Sequence, residues 1–294
     1  MSDAHPIIAI TGSSGSGSSQ VVSAFEHICR RENADLALVD GNGFHRYDRL
    51  RFLEVVGEAR RRGEATSHFA PGSNLFHELQ ALLTEYSESG TGKRRFYLHD
   101  EAASARYGQA AGTFSPWEAI PPATDLMIYQ GLHGCYVDDD VDIARYMDLK
   151  IGVVPVVNLE WIQKAHRDIK DRGYHPEQVT QTILRRLPDY IEYITPQFSR
   201  TDINFQRVPM VDTSNPFVAL NVPLEKETAV VIRVAHPERV HVDFRYLLEM
   251  IPGSFMSRRN SIVVPGDEMG YAMQLIFSPV VHELLERRRA ALVR

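Results

Sequence analysis

Three groups of residues in this chain have the types and spacing to handle phosphate. The first is Gly12-x4-Gly17-Ser18-Ser19, which fits the spacing G-x-x-x-x-G-K-[ST] except that Ser18 stands where lysine belongs. Gly12, Gly15 and Gly17, with Ser13 and Ser16 among them, would let backbone N–H groups turn inward on phosphate oxygens. A helix starting near Ser18 would aim its positive dipole end at the same anion. Ser19 is placed to contact magnesium. Without the loop lysine, another basic group has to reach the terminal phosphates. A merely flexible Gly/Ser turn is the competing reading, and the apolar run before it and the helical spacing after it favour the phosphate loop. The second group is His45, Arg46 and Arg49, on a loop past the second strand, where open parallel sheets bind ligands. A surface loop histidine is the weaker, competing reading of His45. The third is Lys164, Asp168 and Arg172, at i, i+4 and i+8 of an expected helix, with Arg167 adjacent. On spacing alone, an exposed helix with ion pairs worth ~0.3–0.5 kcal/mol each explains this third group better.

The elements that must position these groups follow from periodicity. Ile7-Ile8-Ala9-Ile10 is a buried strand, Val21, Val22, Phe25, Ile28 and Cys29 recur at helical spacing, and Leu36-Ala37-Leu38-Val39 is a second buried strand. A β-loop-α-β opening implies parallel strands and a right-handed crossover. Helices are expected near Leu53 to Arg62 and along the Leu75–Tyr86 stripe. A polar excursion from Ser87 to Pro122 holds a short strand at Arg95 to Leu98. Further strands are expected at Asp125–Tyr129, Leu149–Val157, Ala229–Val234 and Ser261–Val264. Further helices are expected from Asn158, a candidate N-cap, to about Arg172, from Pro176 to Tyr193, and from Glu268 to Arg288. Alternation of this kind gives an α/β fold with a mainly parallel, mixed sheet flanked by helices. No linker divides residues 1–294, so one domain is expected.

Composition bounds the rest. Of 294 residues, 44% are hydrophobic and 24% charged, the balance of a globular chain rather than a disordered one. The formal net charge of −6 gives no global reason to bind nucleic acid. The two cysteines, Cys29 and Cys135, form no C-x-x-C pair, so neither a disulfide framework nor a structural zinc site is expected. They are read as core packing. No apolar run approaches the ~18 residues that span a bilayer, and the first residues lack the layout of a signal peptide, so a cytoplasmic protein is expected.

Several longer stretches carry a resemblance. Thr11 to Gly15, Gly41 to Arg49, Tyr129 to Gly134, Val154 to Gly173 with Asn158-Leu159-Glu160-Trp161-Ile162-Gln163-Lys164, Thr195 to Arg207, and Val211 to Pro216 all resemble the bacterial type of phosphoribulokinase, from about Pro6 to Pro279. The resemblance implies a P-loop fold like that of nucleoside-monophosphate and uridine kinases. It implies transfer of phosphate from ATP, with Mg2+, to ribulose 5-phosphate. A small hydroxyl residue at position 18 is usual for that type. His45 and Arg49 would hold the sugar phosphate, with His99 a weaker candidate. Lys164, Arg167, Asp168 and Arg172 would serve the sugar substrate and a mobile lid, and Lys164 would replace the missing loop lysine. Arg31, Arg185, Arg186, Arg233 and Arg258 would serve an NADH effector or an interface of an octamer. Ordinary surface arginine is the equal alternative.

The chain departs from the family pattern where the chemistry is expected. Asn42 stands in the G-D-x-F-H-R stretch where an aspartate would act as base, and Gln130 replaces the glutamate of Y-E-G-L-H-G that acts near magnesium. An amide cannot take a proton at neutral pH, and hard cations prefer carboxylates. Gly72 replaces an acid in Pro71-Gly72-Ser73-Asn74. Asp40 lies on the same side as Asn42, but the family commonly has an acid there too, and Asp48 is another acid on the loop. Asp168 is the expected surviving active-site acid. An active sugar-phosphate kinase and a pseudoenzyme that binds nucleotide or sugar phosphate and regulates a partner both remain open here.

Overall fold

The computed structural model describes residues 2–13, 17–170, 175–217 and 221–293. Its first strand, β1 (Ile7–Thr11), is buried along its whole length. Such a strand must be covered on both faces, and its period-2 alternation divides the core. Ile8 and Ile10 face one cluster of buried side chains, and Ile7 and Ala9 face the other.

Helix α1 (Ser18–Arg31) follows the glycine loop and β2 (Leu36–Asp40) follows α1. Next come α2 (Arg49–Arg61) and α3 (Phe76–Ser89), then an excursion containing β3 (Lys93–Arg94), α4 (Glu101–Tyr107) and β4 (Glu118–Ala119). The chain returns to the sheet with β5 (Leu126–Gly131) and β6 (Leu149–Val154), and α5 (Val157–Lys170) and α6 (Pro176–Asp189) follow. The last part holds β7 (Ile203–Pro209), β8 (Thr228–Val234), α7 (Phe244–Met250), β9 (Phe255–Arg258), β10 (Ser261–Pro265) and α8 (Met269–Leu292). The main sheet runs β2-β5-β1-β6-β7-β8-β10-β9, parallel from β2 through β7 and antiparallel beyond. This is a P-loop NTPase-like α/β fold: the alternation of elements implied a mixed, mainly parallel sheet flanked by helices, and the resemblance implied the P-loop type.

Helices α1 and α8 cover one face. Phe25 of α1 stacks on Phe277 of α8 at 4.5 Å, and Phe277 meets Phe205 of β7 edge-on at 5.5 Å. On the other face α3 buries Phe76, Leu79, Leu82, Leu83 and Tyr86, the apolar stripe seen in the sequence. Cys29 and Cys135 are buried in the fold, and burial pushes both thiols up to about 12, consistent with packing rather than redox reactivity.

Five expectations need correction. The strand expected at Arg95–Leu98 lies instead at Lys93–Arg94. Arg95 is drawn out of line because its guanidinium donates to the carbonyls of Gly43 and His45, at 2.6 and 2.7 Å, and lies over the rings of Phe114 and Trp117. The strand expected to reach Val157 ends at Val154, and Asn158 is not a cap: α5 begins at Val157, and the Asn158 side chain donates to the Thr213 carbonyl at 3.0 Å. The helix expected to reach Tyr193 stays α-helical only to Asp189. A wider π turn, Tyr190–Ile194, follows Pro188, which cannot donate its own backbone hydrogen bond. The Asn204-Phe205-Gln206-Arg207 stretch, read only as a motif, is part of β7.

Phe277 touches both the phosphate-side helix and the sheet. Phe277→Ala should cost about 3–5 kcal/mol of unfolding free energy, read by urea denaturation.

Candidate active site

The parallel register places the ends of three strands side by side. Thr11 of β1 pairs with Gly131, and Gln130 of β5 pairs with both Ile10 and Asp40. Gly41 and Gly131 make this approach possible. A Cβ on Gly41 would lie 2.6 Å from the Tyr129 hydroxyl and 2.9 Å from the Gly131 Cα. A cleft of about 1060 Å³ opens at this edge.

One end of the cleft is the phosphate loop. Gly12, Ser13, Gly17, Ser18 and Ser19 line it, whereas Gly15 and Ser16 lie outside the described residues. Gly17 caps α1 in the left-handed region at φ 97°, a conformation open to glycine, so the helix N-terminus starts directly from the loop. Gln130 donates its side-chain amide to the Ser18 hydroxyl at 3.0 Å. The serine at the lysine position is thus held by the amide that replaces the glutamate. Arg207, at the end of β7, donates to Gln20 at 3.2 Å and brings a cation to this end.

The other end is built on the loop after β2. Asp40 accepts the backbone N–H of Asn42 at 2.9 Å and caps a tight 3-10 turn, Gly41–Phe44. Asn42, His45, Arg49 and His99 all line the cleft, and Arg49 donates to the His99 carbonyl at 2.9 Å. Arg46 braces the loop from behind, donating to the carbonyls of Gly72 and Asn74. Asp48 caps α2 by accepting the Arg51 N–H at 2.8 Å and does not line the cleft. A side chain at Gly72 would meet open space, so packing does not explain the missing acid there.

His45 is a buried residue, not a surface one. Its Nδ1 lies 3.0 Å from Asn74 Oδ1, and its ring stacks on His68, which stacks in turn on Phe52. The Asn74 amide also lies 3.3 Å from His133 Nε2. Burial pushes all three imidazoles down, to about 4 for His45, about 3 for His133 and about 2 for His68. His45 is therefore neutral in the working range and can offer a hydrogen bond but no charge. Arg49 brings a cation to this end of the cleft.

Helices α5 and α6 form the remaining wall, with Glu160, Lys164, Arg167 and Arg186 lining the cleft. Glu160 accepts a short hydrogen bond from the Ser13 hydroxyl, and burial raises its pKa against the pull of Ser13, Lys164 and Arg167. Lys164 pairs with Asp168, and Arg167 Nε lies 3.6 Å from the same carboxylate. Asp168 is only 5% exposed and does not line the cleft, a correction to its expected role as the surviving acid. It sits behind two cations and positions them. Arg172 lies outside the described residues. Arg186 also departs from expectation. It lines this cleft, whereas Arg31, Arg185, Arg233 and Arg258 do not. Glu160 was legible in principle, since it continues the Lys164–Asp168 spacing one turn back. His68, on an irregular loop, had no such signal.

The cleft thus joins a phosphate loop, an opposing set of cations and a second polar end, which suits phosphoryl transfer between two anionic ligands. Among the described residues no group of three or more His, Cys, Asp or Glu could hold a metal by itself. Magnesium needs no such cage, because it commonly binds one or two protein oxygens together with substrate phosphates. Ser19, Gln130 and Asp40 supply oxygens of that kind in the cleft. No helix among the described residues is long and apolar enough to cross a membrane.

Comparison with known proteins agrees with this geometry. The phosphoribulokinase / uridine kinase family matches residues 7–214. The chromosomal phosphoribulokinase of Cupriavidus necator is 56% identical over 292 residues, covering 99% of each chain. The phosphoribulokinase of Nitrobacter vulgaris is 54% identical over 288 residues, covering 98% of this chain and 99% of that one. A solved phosphoribulokinase from Rhodobacter spheroides is 46% identical, with a TM-score of 0.90 over 98% of this chain and 100% of its own.

The buried imidazoles give a pH test. Each is neutral in the fold, but the unfolded chain takes up a proton below the ordinary value of 6.5. Stability from this source is full above pH 6.5 and falls as pH drops from 6.5 towards about 4. Urea unfolding should show a slope approaching ~1.4 kcal/mol per pH unit for each histidine in that window. His133→Leu should remove one histidine's share of the slope.

Proposed function

We propose the function from one premise: the chain belongs to the phosphoribulokinase / uridine kinase family. It is an ATP-dependent kinase that phosphorylates ribulose 5-phosphate to ribulose 1,5-bisphosphate. The observation that carries this is identity above half, along nearly the whole of both chains, to proteins named phosphoribulokinase. The cleft supports it with a phosphate loop at one end and Arg49 at the other.

The nucleotide phosphates lie on the loop amides and the α1 N-terminus, and Lys164, Arg167 and Arg207 supply the charge that Ser18 does not. The oxygens of Ser19 and Gln130 would hold magnesium brought with the nucleotide, and the metal would supply shielding of phosphate charge. Arg49 holds the sugar phosphate, and the neutral His45 hydrogen-bonds beside it, with His99 close by. Asn42 binds the sugar by hydrogen bonding. Arg31, Arg185, Arg233 and Arg258 serve an NADH effector or contacts between the subunits of an octamer.

A coupled assay of ADP release, with ATP, magnesium and ribulose 5-phosphate, should show turnover in the ordinary range of ~1–10³ s⁻¹. Arg49→Ala should raise KM for the sugar phosphate about 10–100-fold through loss of one charge-assisted contact. Absence of turnover across pentulose and pentose phosphates overturns the kinase and leaves a binding protein, the role that the amides at 42 and 130 would suit.

A further inference from the structure

The backbones of His45 and Asn74 are locked opposite each other. The Arg46 N–H donates to the Ser73 carbonyl and the Leu75 N–H to the Phe44 carbonyl, each at 2.8 Å. Asn74 is 4% exposed, and its side-chain amide directs both hydrogens at carbonyl oxygens, of His68 at 3.0 Å and of Ala70 at 2.9 Å. A carbonyl oxygen only accepts. The amide therefore cannot be turned round: its NH2 must face those two oxygens, and its Oδ1 must face His45. Asn74 Oδ1 lies 3.0 Å from His45 Nδ1. It too only accepts, so the ring proton of His45 sits on Nδ1.

Burial keeps this imidazole neutral, so it carries one proton, and the lone pair is left on Nε2. The plane of the ring is fixed as well. It stacks on His68 at 4.3 Å, and His68 stacks on Phe52 at 3.8 Å. Among the described residues His45 Nε2 has no hydrogen-bond partner, and His45 and Arg49 both line the cleft. A ring held in this way has a lone pair to present and no hydrogen. It can accept an O–H, and it repels a phosphate oxygen. Arg49, which has donors only, has the opposite preference.

Resting on the kinase reading above, we propose that Asn74 is a positioning residue that fixes His45 as a hydrogen-bond acceptor, so that His45 Nε2 takes a hydroxyl of the sugar phosphate and the phosphate group is left to Arg49. The role that the resemblance gave jointly to His45 and Arg49 is thereby divided between them. A sugar phosphate carries a partner for each side chain. Inorganic phosphate carries a partner for Arg49 alone.

Solid-state NMR of isotope-labelled protein reads the ring directly, with the His45 signals assigned through the neighbouring Phe44 and Arg46. The native ring should show Nδ1 protonated and Nε2 bare. Ribulose 5-phosphate should move the Nε2 resonance upfield, the direction of an accepted hydrogen bond, and inorganic phosphate should leave it in place. Asn74→Ala should let the proton pass to Nε2. It should raise KM for ribulose 5-phosphate about 3–10-fold, the worth of one neutral hydrogen bond, with KM for ATP–magnesium within about twofold of native. A native ring protonated on Nε2 overturns the proposal. So does an Nε2 resonance that inorganic phosphate moves as far as ribulose 5-phosphate does. Both of these arms use the native chain and stand whether or not Asn74→Ala folds. A folded Asn74→Ala protein with the native tautomer and native KM overturns it too. If ribulose 5-phosphate turns over while Nε2 does not respond to it, only this proposal falls; if the sugar phosphate neither turns over nor binds by calorimetry, the kinase reading falls with it.

Discussion

Asp40 and Gln130 face each other because β2 and β5 pair in parallel register up to their last residues, and that pairing survives at the strand ends only because Gly41 and Gly131 carry no side chains. The Tyr129 hydroxyl occupies the space either Cβ would need. Two polar parts of the cleft are placed from this edge. Gln130 reaches across to Ser18 at the start of α1, Asp40 turns the chain into the Gly41–Phe44 turn, and α5 and α6 line the same cleft. A backbone constraint of about one methyl group thus fixes the relation of two ligand sites.

Charge in the cleft is arranged by contrast. The whole chain is acidic, yet Arg49, Lys164, Arg167, Arg186 and Arg207 all line one cavity. The imidazoles beside them are kept neutral by burial, so they add shape and hydrogen bonds without further repulsion among cations. Asp168 pairs with Lys164 and Arg167 from a buried position. A buried anion of this kind orders flexible cationic side chains before any anionic ligand arrives, which lowers the entropy lost on binding.

Much of this was legible in the sequence. The buried β1 run, the stripe of α1 and α3, and the glycine spacing before Ser18 each report a strong local rule, and the structure has each element. The resemblance brought Asn42, His45, Arg49, Gln130 and Lys164 together, and all five line one cleft. What was not legible depends on which way a side chain faces after folding. The spacing of Lys164, Asp168 and Arg172 gives a shared helix face, but not that Asp168 is sealed behind its partners. The burial of His45 follows from stacking on His68 and from Asn74, residues 23 and 29 positions away with no periodic relation to it. Arg95 reads as part of a strand until its guanidinium is seen capping carbonyls on another loop.

That Arg95 contact carries a consequence for how the site can change. Its two hydrogen bonds end on the main-chain oxygens of Gly43 and His45, and its plane rests on Phe114 and Trp117. The grip is indifferent to the side chains the loop displays. Side chains at positions such as 42 and 49 can therefore be exchanged while the scaffold beneath stays put, a separation of display from support that makes this corner of the molecule open to evolutionary retuning.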